Sequence, residues 1–310
     1  MLGAAVLAGG CAQDVALTQA PAAEGGRWAA VESGTTSDLR AVHGAAPDDV
    51  WAVGAGGAAV HWDGARWRAF PTGATSTLTG VWVAGRDDAW AVGAGPPGAS
   101  GLLHWDGARW SEAALPARDR VVLRAVWGAR DGDVWAVGGG PDAPGPNVWR
   151  RTTEWRPEAV FGARAVGLTG VGGRGADDLW TVGAGPALFH RVRGEWTMPV
   201  IAPRGASLAG GLCVAGDGAV WLTGAAAVHR FRDPAWTTYA LPAGTALRGV
   251  WCGDGDDVWG VGDGGRLAHW DGAAWSTDTV GRVDLAAVWD SDAGERWAVG
   301  ARGAVLRFGP

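Results

Sequence analysis

The 310 residues include no lysine and only one asparagine (Asn147), one isoleucine (Ile201) and one tyrosine (Tyr239). All 26 basic residues are arginines, and nowhere do they form a basic run. With a formal net charge of −6, there is no contiguous cationic footprint, so nucleic acid is excluded as a partner. The apolar stretch at residues 2–8 is too short to span a bilayer, and no other segment has the composition to cross one. No segment sustains a 3.6-residue apolar period, which excludes a helical solenoid. The scarcity of Lys, Asn and Ile beside abundant Ala and Gly points to GC-rich coding DNA, so Ala and Gly carry little weight as structural signals.

What the chain has in excess is tryptophan, with 22 residues. They are spaced by a repeat: Leu, two residues, Val, Trp, an acidic turn, Val-Trp-Ala-Val-Gly, a loop, then His-Trp-Asp-Gly-x-x-Trp. A central tryptophan recurs at Trp51, Trp90, Trp135, Trp180, Trp221, Trp259 and Trp297. A trailing one recurs at Trp28, Trp67, Trp110, Trp155, Trp196, Trp236 and Trp275. Leucines at 39, 78, 123, 168, 208, 247 and 285 open the units. Each unit reads as four short strands, a to d, bounded by Gly, Asp and Pro. Strand b is apolar on both faces, so its sheet must be covered on both sides. Sheets stacked face to face around an axis meet that need, and 47% hydrophobic residues suffice for the core. The expected fold is an all-β, seven-bladed β-propeller of four-stranded antiparallel blades.

The last unit stops before its fourth strand, and the strand around Trp28 is the piece it lacks. The N-terminal strand is therefore expected to join the last blade and close the ring. The third position of strand a is Ala41, Gly80, Ala125, Gly170, Gly210, Gly249 and Ala287, small in every unit, as innermost strands converging on an axis require. All 22 tryptophans fall on repeat positions, so most are expected to pack between blades. His61, His104, His190, His229 and His269 are assigned to one strand c slot in five blades, which keeps them apart and excludes a shared metal site. The acidic a–b turns (Asp48 and Asp49, Asp87 and Asp88, Asp131 and Asp133, Asp177 and Asp178, Asp217, Asp256 and Asp257, Asp292 and Glu295) are expected to bond their own backbone. Their spacing matches no twelve-residue calcium loop. No metal and no cofactor are expected.

Cys213 and Cys252 lie in adjacent units, and a disulfide between them or two buried thiols are both open. Counting back from Trp221 and Trp259 puts them one position out of register, with side chains expected to point apart. The third cysteine, Cys11, follows small residues after the apolar stretch. This resembles a bacterial lipoprotein signal, which implies lipidation at Cys11 and export to the outer membrane, periplasm or cell surface. Residues 1–11 are then the signal segment, 12–26 a linker and 27–310 a single propeller.

Asp63-Gly64, Asp106-Gly107 and Asp271-Gly272, each followed by a tryptophan, occupy the turn between the third and fourth strands. In this the repeat resembles bacterial Asp-box (BNR, sialidase-like) propellers, although the Ser/Thr of that box is absent and its Asp–Gly spacing is one residue shorter. The tryptophan content also resembles tectonin-type lectin propellers. A sialidase would imply a tyrosine nucleophile, but Tyr239 falls on outer strand d, far from the axis. No nucleophile–base or carboxylate pair stands apart from the repeat, so the chain is expected not to be an enzyme.

Loop length varies on one face, that of the d–a and b–c connections, as at residues 94–101, 138–147, 114–122, 159–167 and 200–207. Arg118, Arg120, Arg164, Arg204 and Arg282 lie in its loops. Arg40, Arg124 and Arg248 hold the second position of strand a at the mouth of the axis. These eight arginines are the expected ligand-binding residues, suited to an anionic group such as an acidic glycan. The functional expectation is an extracytoplasmic binding or scaffold propeller, monomeric and touching a membrane only through its lipid anchor. Its partner is a protein or a glycan. The alternatives are a lectin using the arginine-bearing face and a degenerate glycosidase.

Overall fold

In the computed structural model, residues 14–15, 26–95, 100–116, 122–129, 132–139, 147–160, 167–183, 185, 187–197, 200–203, 211–224, 226–242, 244–291 and 294–309 are described. Seven antiparallel sheets follow one another, each ordered a, b, c, d. Blade 1 shows the plan: strand a is Leu39–Ala46, b is Asp49–Gly54, c is Ala59–Trp62 and d is Trp67–Ala69. Strand b is buried along its whole length, as its two-sided apolar sequence requires.

Blade 7 is closed as the sequence implies. Arg27–Ala30 is its outermost strand, with Trp28 paired to Phe308 and Ala30 to Leu306 of Val305–Gly309. Two blades carry an extra strand. In blade 4, Val200–Ile201 pairs with Ala187 and Leu188 beyond a two-residue outer strand, Glu195–Trp196. In blade 5, Asp14–Val15 pairs in parallel with Thr238 and Tyr239. Tyr239 lies on outer strand Ala235–Ala240, buried against Trp221, Trp270 and Trp275.

The tryptophans pack between blades. The central ring of one blade meets the trailing ring of the next: Trp51 with Trp110 at 5.0 Å, Trp90 with Trp155 at 5.3 Å and Trp297 with Trp67 at 5.1 Å, with interplanar angles of 87°, 76° and 88°. Edge-to-face contact suits the ring quadrupole and adds about 0.5–1.5 kcal/mol per pair beyond area burial. Trp28 meets Trp259 in the same way at 5.8 Å, so the N-terminal strand completes an interface as well as a sheet. No described tryptophan is exposed. The small third position of strand a is also explained: a Cβ on Gly249 would press on the backbone of Ala286 and Ala287 in the next blade.

Cys213 and Cys252 form a disulfide, with Cα atoms 5.9 Å apart. The register expected from the sequence is correct, and the direction drawn from it was wrong. Cys213 pairs with the central Trp221, whereas Cys252 pairs with Val258, one position beyond the residue opposite Trp259. In stacked sheets, equal positions point the same way around the ring. Positions one apart point toward each other across the gap between blades, because successive side chains alternate faces. Other interfaces fill the same two positions with a ring over a glycine: Trp82 lies on Gly128, and Trp289 on Gly44.

Candidate functional site

Every blade carries a polar clamp around its central tryptophan. The residue of strand c opposite that tryptophan is His61, His104, Arg150, His190, Arg230, His269 and Arg307 in blades 1 to 7. Each reaches an acidic residue of the a–b turn. Nε2 of His61, His104, His190 and His269 lies 2.7, 2.9, 2.8 and 2.8 Å from Asp49, Asp88, Asp178 and Asp257. Arg150 pairs with Asp133 at 2.5 Å, Arg230 with Asp217 at 3.2 Å, and Arg307 with Glu295. Each imidazole or guanidinium also covers the indole, from 3.8 Å between centroids for Trp180 and His190 to 5.6 Å for Arg307 over Trp297.

Two expectations are corrected here. His229 is not in the histidine slot: it pairs with Leu222 and bonds Thr238 Oγ1, while Arg230 takes the slot. The acidic a–b turns mainly hold strand c rather than their own backbone. Self-capping belongs instead to the c–d turns, where Asp63, Asp106 and Asp271 each accept two backbone N–H groups. Those bonds hold the three carboxyls below the usual range. The hydrogen bond from His190, aided by Arg174, does the same for Asp178. For Asp257, burial pushes the other way but is outweighed by His269 and Arg296. Among the described residues no cluster of three or more metal-ligating side chains occurs. The clamps are spread one per blade and hold the scaffold.

The opposite face carries the d–a and b–c loops. In six blades the ladder between strands a and b shifts register at the second residue of strand a, between Leu39 and Ala41, Leu78 and Gly80, Leu123 and Ala125, Leu168 and Gly170, Leu247 and Gly249, and Leu285 and Ala287. The skipped residues are Arg40, Thr79, Arg124, Thr169, Arg248 and Ala286. Such a bulge releases a residue from the ladder and re-aims its side chain. These six bulges set their residues at the mouth of the axis; the Thr79 and Thr169 hydroxyls bond back to the carbonyls of Val92 and Val182, whereas the arginines reach outward. Among them Arg40, Thr79, Arg124 and Arg248 are exposed.

The structure brings together two of the eight arginines singled out from the sequence. Arg40 and Arg248 line one pocket of about 110 Å³ with Asp38, Asp284, Leu285, Ala286 and Ala301. Both are ion-paired: Arg40 to Asp38 at 2.9 Å, and Arg248 to Asp263 and, at 3.5 Å, to Asp284. Sequence reasoning missed these aspartates because they lie outside the tryptophan-centred part of the repeat. Arg124 is exposed at its bulge and Arg282 in its loop, and neither makes an ion pair among the described residues. Arg118, Arg120, Arg164, Arg204 and Cys11 lie outside the described residues.

No family model matches the sequence, and no curated protein matches it. Solved structures match the fold over nearly the whole chain. A structure described as YCF48 bound to D1 peptide superposes with a TM-score of 0.74 at 16% identity, covering 95% of this chain and 99% of that one. The WD40 propeller domain of Doa1 gives 0.69 at 11%, covering 91% and 97%. A catalytically inactive histidine-to-alanine variant of virginiamycin B lyase from Staphylococcus aureus, with quinupristin, gives 0.75 at 13%, covering 92% and 99%. The last match corrects the expectation that this chain is not an enzyme. A lyase is built on the same architecture, and replacing one histidine inactivates it, so a search for paired carboxylates or a nucleophile–base pair was too narrow a test. The fold these neighbours share with this chain is the seven-bladed β-propeller.

Proposed function

We propose that the chain is an exported binding propeller that holds a polypeptide partner at the face of the d–a and b–c loops. The observation that carries this reading is the ring of bulges. In six blades the residue at the axis mouth is freed from the ladder, and it is arginine in three blades, threonine in two and alanine in one, so the mouth is not uniform around the ring. Variable side chains on a rigid repeat are what a recognition surface needs. The YCF48 propeller with its bound peptide supports a polypeptide ligand. No described tryptophan is exposed, so none offers a sugar ring an open stacking platform. Export is supported by the Cys213–Cys252 disulfide, a bond that persists in oxidising compartments, and the lipid anchor at Cys11 rests on the sequence alone.

The test is site-specific photo-cross-linking in cells. A photoreactive residue at Thr79 or Arg124 is expected to capture a protein, and the same residue at Arg66 or Arg109, in the c–d turns of the other face, is not. Capture only from the c–d turns, or binding on a glycan array with no protein captured, overturns the reading.

A further inference from the structure

We infer that the pocket between Arg40 and Arg248 is a carboxylate subsite, taking an acidic side chain or a C-terminus of the partner. The inference rests on the polypeptide reading above for its biological ligand, and on geometry for the site itself.

The pocket exists because of one small residue. Arg40 belongs to blade 1 and Arg248 to blade 6, and the bulge residue between them, in blade 7, is Ala286. Alanine leaves open the space that an arginine or threonine fills at most other bulges. The floor is Leu285 and Ala301, and the walls are two salt-bridged arginines.

The aspartates are already engaged on both oxygens. Asp38 Oδ1 accepts the backbone N–H of Arg302 at 2.9 Å, and its Oδ2 accepts Arg40 Nη2. Asp284 Oδ1 accepts the N–H of Gly264 at 2.9 Å, and its Oδ2 faces Arg248 Nη2. These bonds latch the entry to strand a onto the b–c turn of the preceding blade. The arginines are not used up. A guanidinium carries five N–H donors on three nitrogens. Arg40 engages only Nη2, and Arg248 only Nε and Nη2. Among the described residues their remaining N–H groups make no hydrogen bond.

The pocket is therefore rich in donors and poor in free acceptors, and its arginines are held in place by their carboxylate partners. Pre-positioned guanidiniums favour a planar, two-oxygen acceptor. The lining carries two arginines and two aspartates, so what the pocket offers an acceptor is the unused guanidinium donors and not a net charge.

The experiment measures fluorescence anisotropy of a labelled hexaglutamate peptide with the full chain, beside hexalysine and hexaserine. Saturable binding of hexaglutamate alone is expected, weakening as salt rises. Two variants test the site by different means: Arg40→Gln/Arg248→Gln removes the donors, and Ala286→Phe fills the space with every charge kept. Each is expected to raise the Kd at least tenfold with circular dichroism unchanged. An unchanged Kd in both variants, or preferential binding of hexalysine, overturns the subsite. If the subsite falls while cross-linking from Thr79 and Arg124 persists, the polypeptide reading stands without it. If hexaglutamate binds and Ala286→Phe blocks it while no cross-link forms, the subsite stands and the polypeptide reading falls.

Discussion

The inner wall of the ring is built in two ways. Around blades 7, 1 and 2 it is aromatic: Trp289 covers Gly44, the His43 ring lies 4.1 Å from Trp82, and Trp82 covers Gly128 of blade 3. In blades 4 and 5 the position opposite the central ring holds Gly172 and Cys213 instead, and blade 6 keeps Trp251 there but places Cys252 next to it. Strand a of blade 5 is only Leu212–Val214, the shortest inner strand among the described residues. There the disulfide joins the two positions that a ring and a glycine fill elsewhere. One wall is held by buried area and shape. The other is held by a covalent bond that closes a loop between residues 39 apart. The same interface geometry thus accepts either solution, provided the two side chains occupy positions of opposite parity.

The comparison breaks most visibly on the aromatic side. Trp297→Ala, at a fully buried ring between Trp62 and Trp67, is expected to cost about 3–5 kcal/mol in urea unfolding, because two stacked sheets cannot collapse into the gap. On the other side, Cys213→Ser/Cys252→Ser is expected to cost about 3–4 kcal/mol, from the loop it releases in the unfolded chain. Hydrogen exchange should then rise in blades 5 and 6 while blades 7, 1 and 2 keep their protection. A sharper version replaces the pair by its aromatic equivalent. Cys213→Trp/Cys252→Gly should recover at least half of the serine variant's loss; no recovery would show that the two pairs are not equivalent.

Smaller effects separate the walls by pH. His43 is enclosed in the aromatic wall, where its Nδ1 accepts the N–H of Val83 at 3.1 Å and burial lowers its pKa to about 3. Below about pH 6.5 the unfolded chain binds a proton that the folded one refuses, so stability falls as pH drops from 6.5 toward 3. At pH 5 the loss is about 2 kcal/mol at about 1.4 kcal/mol per pH unit. His43→Gln keeps an acceptor without titrating and should flatten that part of the curve. The clamps lose stability in the same direction, but at lower pH. Asp178 has a lowered pKa, so its contribution is present above its unfolded value near 4 and is lost as pH falls through the folded one. Asp178→Asn should cost about 1 kcal/mol at pH 7 and progressively less in acid.

How the fold was legible follows from the same residues. Fourteen paired tryptophans at fixed spacing gave seven blades, and Trp28 gave the closing strand, because each names a strand and its neighbour at once. The clamp was half legible: the histidine slot was visible, but Arg230 in place of His229 was not, since a one-residue slip only shows once strands are paired. The aspartates of the candidate pocket were missed because Asp38 and Asp263, although in the same blades as Arg40 and Arg248, lie outside the tryptophan-centred motif, and Asp284 meets Arg248 from the next blade.

By itself the sequence determined the strand period, the number of blades, the position of the seam and the small third residue of six inner strands; in blade 5 pairing puts Gly211 there and not Gly210. These are local, repeated properties, set by side-chain size and alternation within one unit. Only the tertiary structure decided what faces what between units. It turned Cys213 toward Cys252, paired each strand c histidine or arginine with its acidic turn, and released one bulged residue in each of six inner strands at the mouth of the axis. Those outcomes depend on the stacking of sheets around a ring, where direction reverses across each gap, and no single repeat carries that information.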